Sequence, residues 1–358
     1  IAHEDMSIYA YVSILEVSLK LLLVFLLPIL GSDRLIVYGL LMMGVVIINT
    51  TVYRTICRKK YEETKAGWIW DKKLFREIIN YTWWNIFGAG TTVFRVQALN
   101  IVLNQFFSPV IVAARSIANQ VNSAISTFAQ NFSTAVKPQI IKSYSSGNTD
   151  EMQTLIYRSC KLTFFLMFIV TLPFYFEAEF VLGLWLKHVP EWAVLFTKLV
   201  LIDTLVDSAN FPLKTAVQAT GKIKLYQIVI GLLRFINLPL ALLGIHLFNT
   251  PEIVFYIMIF LTFATLIARL IILQNLIGFT FFKIIQNVFA PLFFAAGISL
   301  FCLYIIYPYL GSSFLRLFLT TIISIVIWSL FFFFLVLSKK EKEKIYKFIK
   351  GKLLTQKY

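Results

Sequence analysis

Residues 106–137 read FFSPVIVAARSIANQVNSAISTFAQNFSTAVK, a stretch long enough to cross a bilayer as one helix. Yet it carries Arg115, Asn119, Asn122, Ser126 and Ser133 at steps of four, three, four and seven. Helical geometry puts residues at such steps on one side. A second row, Ser116, Gln120, Ser123, Thr127, Gln130 and Thr134, widens that polar sector, while Val110, Val112, Val121, Ile125, Phe128 and Phe132 supply the apolar remainder. An ionisable group at membrane depth normally faces a protein interior or a water-filled cavity. This segment therefore reads as a membrane helix with one wet face, lining a cavity that carries a cation and suits a polar, anionic cargo.

Working outward from it, the 358-residue chain is 59% apolar with only 14% charged residues and contains repeated apolar runs of about twenty residues, the length that spans the hydrocarbon core. The expected fold class is an all-α, polytopic membrane protein. Ten spans are expected, near 9–29, 35–53, 78–104, 107–136, 155–180, 193–214, 225–247, 253–275, 287–307 and 314–337.

A net charge of +15 can signal nucleic-acid binding, but its distribution argues for membrane orientation instead. Of the 33 Lys and Arg, 24 fall in alternate connections: 54–77, 137–161, 214–224, Lys283 and the tail from Lys339. The opposite connections hold only Arg34 and Lys187. By the positive-inside rule the basic set is cytoplasmic and the C-terminus lies inside, where loop charge meets anionic lipid. No nucleic-acid partner is expected. Cys57, Cys160 and Cys302 are too few and scattered for a disulfide framework and read as packing residues. The chain opens on Ile1 with no signal peptide before the first span, which leads us to expect an N-terminal portion ahead of it.

The longest connection, 54–77, mixes charge with Tyr61, Trp68 and Trp70, residues typical of the headgroup level. It is the expected boundary, a cytoplasmic linker between residues 1–53 and 78–275, followed by two further helices in 276–337 and a basic tail, 338–358, suited to an amphipathic helix on the inner leaflet. The outward connections are short, and the larger Trp185–Trp192 segment reads as interfacial.

Several polar constellations lie inside spans. Asn85, Gly88, Thr92 and Arg95 share one face of the 78–104 segment. A central Arg costs roughly 2.5–3.5 kcal/mol on insertion scales, so Arg95 and Arg115 are expected to avoid lipid. They read either as a guanidinium pair that forks onto phosphate or as members of internal ion pairs. Asp203, Asp207, Asn210 and Lys214 follow at steps of four, three and four. Two carboxylates one turn apart suit a proton or sodium coupling site, or else pair with Arg95, Arg115, Arg234 or Lys214. Glu16 and Lys20 have the favourable i,i+4 order, so they either pair with each other or face the cavity. Arg234, Arg269 and Arg316 read as snorkelling cations.

Catalytic and metal signatures are weak. His3, His188 and His246 are isolated, no His or Cys pair has metal spacing, and Gly221-Lys222 lacks the rest of a phosphate loop. Glu177 and Glu179 form only a weak acidic dyad. No catalytic residue, metal or cofactor is expected.

Three strings carry a family resemblance: Pro138-Gln-Ile-Ile-Lys142-Ser-Tyr144-Ser-Ser-Gly147-Asn148, Trp185-Leu-Lys-His-Val-Pro190-Glu191, and Gln218-Ala-Thr-Gly221-Lys222-Ile-Lys224-Leu-Tyr226-Gln227, together with Ala2-His3-Glu4. With them the chain resembles the bacterial polysaccharide or O-antigen flippases (Wzx-like) of the multidrug/oligosaccharidyl-lipid/polysaccharide exporter superfamily. The resemblance implies two six-helix lobes and two extra C-terminal helices working by alternating access, with this chain starting at the fifth helix and four helices preceding it. It implies movement of an undecaprenyl-pyrophosphate-linked oligosaccharide across the bacterial cytoplasmic membrane for surface polysaccharide or lipopolysaccharide synthesis.

On that reading Arg95, Arg115 and Lys20 attract the pyrophosphate, Asn119, Asn122, Ser126, Thr92 and Asn85 meet sugar hydroxyls, and Asp203, Asp207 and Glu16 respond to a coupling proton or sodium ion. The expected partners are the lipid-linked oligosaccharide, the coupling ion, membrane lipids and polysaccharide polymerase machinery. Two rivals remain at this point: a multidrug exporter on the same fold, whose cationic cargo favours an acidic cavity, and a membrane glycosyltransferase, polymerase or ligase, which needs a larger outer loop than the sequence provides.

Overall fold

The computed structural model describes residues 6–27, 34–65, 70–311, 314–339, 341–343 and 346–347. The Ala2-His3-Glu4 string, residues 31–33 of the first outward connection, Trp68 and the tail from 348 onward lie outside the described residues. The elements are α1 (Met6–Leu26), α2 (Arg34–Lys60), α3 (Lys72–Phe106), α4 (Pro109–Ser145), α5 (Thr149–Phe176), α6 (Ala178–Trp185), α7 (Ala193–Ser208), α8 (Asn210–Ala219), α9 (Lys224–Phe248), α10 (Ile253–Ile277), α11 (Phe281–Ile284), α12 (Ala290–Ile306) and α13 (Phe314–Phe331). Single π turns follow α11 (Ile285–Phe289) and α13 (Phe332–Val336). Among the described residues there is no strand, so the all-α class read from the apolar runs holds.

Among the described residues, eight segments are long and apolar enough to cross a membrane: Ser7–Leu26, Leu35–Lys60, Lys72–Phe106, Thr149–Trp185, Lys224–Phe248, Ile253–Ile277, Phe281–Tyr309 and Phe314–Val336. The other two of the ten expected spans, 107–136 and 193–214, fall short of that length or hydropathy. The first is helical throughout as α4, but its two polar rows lower its hydropathy. The second is broken at Ala209, leaving α7 and α8 with 16 and 10 residues. Pro212 is the cause, because it cannot donate the i→i−4 bond to the carbonyl of Ser208. Both helices pack against protein: α4 lies along α7, α8 and α5 and buries its side with Ile111, Ala118, Val121 and Ile125 there, leaving the flanking polar row on its other side.

The chain divides into two compact units, Ile1–Ile79 and Asn80–Tyr358. In the first, α1 packs on α2 and Val12, Leu23 and Val45 are buried. Glu16 and Lys20 join in an ion pair of 2.6 Å on a half-exposed face of α1.

Among the described residues of the second unit there are two apolar cores. One gathers Leu99, Leu103, Ile111, Ala118, Val200, Phe196, Ala241 and Phe255. The other gathers Ile156, Phe164, Phe168, Leu213, Ile230, Leu270, Leu292 and Trp328. Local chemistry sets the helix ends that join them. Gly147 takes φ +76°, a left-handed conformation that costs glycine little. Asn148 then caps α5 by accepting from the Glu151 N–H at 3.1 Å, while its amide donates to the Glu151 carboxylate at 2.9 Å. The side chain thus satisfies one orphan donor of the first turn.

The last two apolar segments are fastened along α5. Trp328 is fully buried among Phe164, Phe165, Phe168 and Phe332, with ring centroids 4.3–6.1 Å away, and its indole donates to the Phe165 carbonyl at 3.1 Å. At one end Tyr307 donates to the Phe176 carbonyl at 3.1 Å. There Arg316 pairs with the buried Glu177 at 3.0 Å, and Thr320 donates to the same carboxylate. Arg316 is therefore an ion-pair partner rather than a snorkelling cation, and Glu177 is an anchor of α13. At the other end Lys161, which the charge count had placed in a loop, is buried within α5 and donates to the Val336 carbonyl at 2.9 Å.

Candidate functional site

On α7, α9 and α10 the polar residues fall between members of the two apolar cores. Asp203 lies between Leu201 and Ala209, Arg234 between Ile230 and Ala241, and Thr262 between Phe255 and Leu266. The result is a polar belt at mid-height, bounded by apolar packing on both sides.

Its centre is a cavity of about 40 Å³ lined by Arg95, Asp203, Asp207, Arg234, Thr262, Thr265 and Arg269. Three guanidinium groups thus face two carboxylates. At roughly 10–15 Å³ per enclosed water, this space takes a few waters or one small ion and is far smaller than a sugar.

Each group arrives by a different route. Arg95 comes from α3, is half buried and has no hydrogen bond or ion pair within the described residues. Its charge acts on Asp203 through space alone. Asp203, on α7, is buried and accepts from the Thr262 hydroxyl of α10 at 2.5 Å. Asp207, one turn on, accepts from Asn210 at 3.3 Å and meets Arg269 at 3.8 Å. Arg269 is buried on α10, stacks 5.8 Å from the Tyr226 ring centroid and leaves its Nε without a partner.

Arg234 reaches from α9 to the Gly88 carbonyl of α3 at 3.1 Å. The same oxygen accepts from Thr91 at 2.9 Å and Thr92 at 3.0 Å. Three side-chain donors therefore converge on one carbonyl. Gly88 lets Gln227 of α9 come close, since a Cβ at this position would lie 2.0 Å from the Gln227 carboxamide oxygen unless that side chain moved. Gln227 in turn donates to Asn85 at 3.4 Å.

The residues expected from the sequence thus separate into groups. Arg95, Asp203 and Asp207 line one cavity. Arg115, buried on α4, is instead held by Asn100 of α3 at 2.8 Å, and Arg95 and Arg115 are near enough to repel each other. Asn122 accepts from Ser126 and from Thr204 of α7, each at 2.7 Å, so this pair ties α4 to α7. Asn119 is half buried with no hydrogen bond of its own side chain among the described residues. The flanking row Ser116, Gln120, Ser123, Thr127 and Gln130 is exposed. Asn85 accepts from Gln227 across the α3–α9 contact, Thr92 donates to the Gly88 carbonyl of its own helix, and Glu16 and Lys20 satisfy each other in the other unit.

Arg234, Arg269, Thr262 and Thr265 were missed as site residues. Reading Arg234 and Arg269 as snorkelling cations is corrected here, since both line the cavity, one reaching the Gly88 carbonyl and the other Asp207. The signal was present on α10, where Thr262, Thr265 and Arg269 follow at steps of three and four, the same period that marks α4. Among the described residues no three His, Cys, Asp or Glu gather as a metal site.

Residues 86–243, from the middle of α3 to near the end of α9, match the model of the MatE family, whose members are polytopic membrane transporters of the multidrug/oligosaccharidyl-lipid/polysaccharide exporter superfamily. The matched stretch contains Arg95, Arg115, Asp203, Asp207 and Arg234. No curated protein matches the chain.

Proposed function

We propose that this chain is part of an alternating-access flippase that moves an undecaprenyl-pyrophosphate-linked oligosaccharide across the bacterial cytoplasmic membrane, with its C-terminus on the cytoplasmic side. The observation that carries the reading is the excess of guanidinium over carboxylate in the mid-height belt. Arg95, Arg234 and Arg269 outnumber Asp203 and Asp207 around one cavity, and Arg115 adds a further buried cation. Such a field attracts a diphosphate, and guanidinium forks suit its oxygens.

The cavity itself is too small for the cargo. Its part is coupling: Asp203, released from or engaged with Thr262, exchanges a proton or sodium ion while Arg95 swings between Asp203 and the anionic cargo. The exposed row of α4, Gln120, Ser123, Thr127 and Gln130, together with Asn119, meets sugar hydroxyls, since amides and hydroxyls both donate and accept. The polyprenyl chain stays in lipid.

One observation favours a second reading, export of cationic drugs on the same fold: Asp203 and Asp207 both line the cavity and would draw a cation. The test is Arg95→Gln and Asp203→Asn in the full-length protein in its host, following surface polysaccharide, lipid-linked repeat units on the inner leaflet, and efflux of a cationic dye. Loss of surface polymer with complete repeat units retained inside supports the flippase. Normal polymer with loss of dye efflux in Asp203→Asn supports the drug exporter, and normal polymer and efflux in both variants overturn the role of the belt.

A further inference from the structure

A second, larger cavity of about 450 Å³ opens where α5 meets the last two apolar segments. Its walls are unusual. One is the π turn Ile285–Phe289, which contributes Gln286 and Asn287; the other is the π turn Phe332–Val336, which leads to Ser338 and Glu341. Single π turns are rare and concentrate at functional sites. Two of them face one pocket here.

The third wall is α5, with Tyr157, Arg158 and Lys161. Lys161 is committed to the Val336 carbonyl and the Glu341 carboxylate at 2.9 and 3.1 Å. Arg158 is different: it is 39% exposed and only 3.8 Å from Glu341, too long for a hydrogen bond. The carboxamides of Gln286 and Asn287 and the Tyr157 hydroxyl make no hydrogen bond within the described residues. A guanidinium, two amides and a phenol therefore line one space with donors to spare. That space lies at the end of Phe314–Val336, the level where phospholipid headgroups begin.

We propose that this pocket binds the phosphodiester of a membrane glycerophospholipid. Arg158 takes the phosphate through paired N–H donors, Gln286 and Asn287 donate to the remaining phosphate and glycerol oxygens, and the apolar edge at Leu335 and Pro291 receives the start of the acyl chains. The volume falls within the usual range for small-molecule sites. Glu341 beside Arg158 gives the site both signs of charge, so an ethanolamine headgroup has a partner for its ammonium as well as its phosphate. This site is separate from the mid-height belt and does not depend on what the transporter carries.

The test uses the full-length protein purified in a phosphate-free detergent solution. Short-chain phosphatidylethanolamine, short-chain phosphatidylglycerol and inorganic phosphate are titrated separately, with thermal stabilisation and native mass spectrometry as readouts. Both lipids are expected to bind and stabilise the protein, and the ethanolamine lipid more strongly. Arg158→Gln, alone and with Asn287→Leu, is expected to weaken binding about tenfold or more, the scale set by losing a charge-assisted hydrogen bond, while the unliganded melting temperature holds. Inorganic phosphate binding as tightly as the lipids would make this a free-anion site and overturn the proposal. So would lipid binding unchanged in both variants, or no stabilisation of the unaltered protein.

Discussion

Asp203 on α7 and Thr262 on α10 are joined by a hydrogen bond of 2.5 Å in a buried setting. The two residues are 59 positions apart in sequence. This bond fixes which way the carboxylate looks: one oxygen is held by α10, while its charge interacts with Arg95 of α3. The bond also gives the belt a part that can be broken and remade without unfolding a helix.

Removing the donor alone leaves the carboxylate without its partner. Thr262→Val is expected to destabilise the folded protein by about 1–3 kcal/mol, the usual cost of leaving a buried polar group unsatisfied. Asp203→Asn, which can still accept from Thr262, is expected to cost less stability but to abolish coupled transport. Thermal unfolding in detergent and flux in proteoliposomes separate the two. Equal stability of Thr262→Val and the unaltered protein would remove the bond from the account.

The Gly88 contact predicts a graded series. Gly88→Ala puts a Cβ 2.0 Å from the Gln227 oxygen, but that atom ends a flexible side chain. Gln227 is expected to swing aside, losing Asn85 at a cost of about 1 kcal/mol. Gly88→Val is expected to cost more, since overpacking of a close contact costs about 1–3 kcal/mol. In a Gln227→Ala background, where the Asn85 bond is already absent and the clash is gone, Gly88→Ala is expected to add little further loss, and melting temperatures of the single and double variants check this.

Glu177 has 0% side-chain exposure and holds both Arg316 and Thr320. Glu177→Ala strands a partly buried guanidinium, and breaking a buried pair from one side is expected to cost about 3–5 kcal/mol. Replacing both partners, Glu177→Leu with Arg316→Met, is expected to cost much less, because no charge is left alone. Limited proteolysis between α12 and α13 and thermal unfolding report whether α13 stays docked. A double variant as unstable as Glu177→Ala would contradict this account.

Glu341 gives a pH dependence. Burial pushes its carboxyl up, but hydrogen bonds from the Ser338 N–H and hydroxyl and the Lys161 ammonium outweigh it and hold the value below the ordinary 4.5. A lowered folded value means that the carboxylate's stabilising share is fully present above pH 4.5 and drains away as pH falls through the folded value. Docking of the Ser338–Glu341 turn is therefore expected to loosen only in acid. Hydrogen exchange at the Glu341 and Lys342 amides should show protection falling below pH 4.5, and Glu341→Gln should remove that dependence.

Much of this architecture was legible in the sequence because its signals are local. Apolar runs of span length placed the helices, and the three-and-four spacing of Arg115, Asn119, Asn122 and Ser126 marked α4 as polar on one side. The i,i+4 order of Glu16 and Lys20 anticipated their ion pair. What those patterns left open was the partner of each polar group. Arg95 and Arg115 have similar local contexts, yet one faces a cavity with Asp203 and the other is held by Asn100. Arg234, Arg269 and Arg316 look alike as single cations near apolar runs, yet they reach a backbone carbonyl, a carboxylate on α7 and a carboxylate at the end of α5.

Periodicity along one helix tells which residues share a face, and hydropathy tells whether lipid can cover it; the sequence by itself determined those two things here. The rotation and axial register of neighbouring helices decided the rest, because a guanidinium finds a carboxylate only where the packing of small residues such as Gly88 and breaks such as Ser208–Ala209 bring two helices to the same height. Those distances are set by side chains far apart in the chain, and only the tertiary structure contains them.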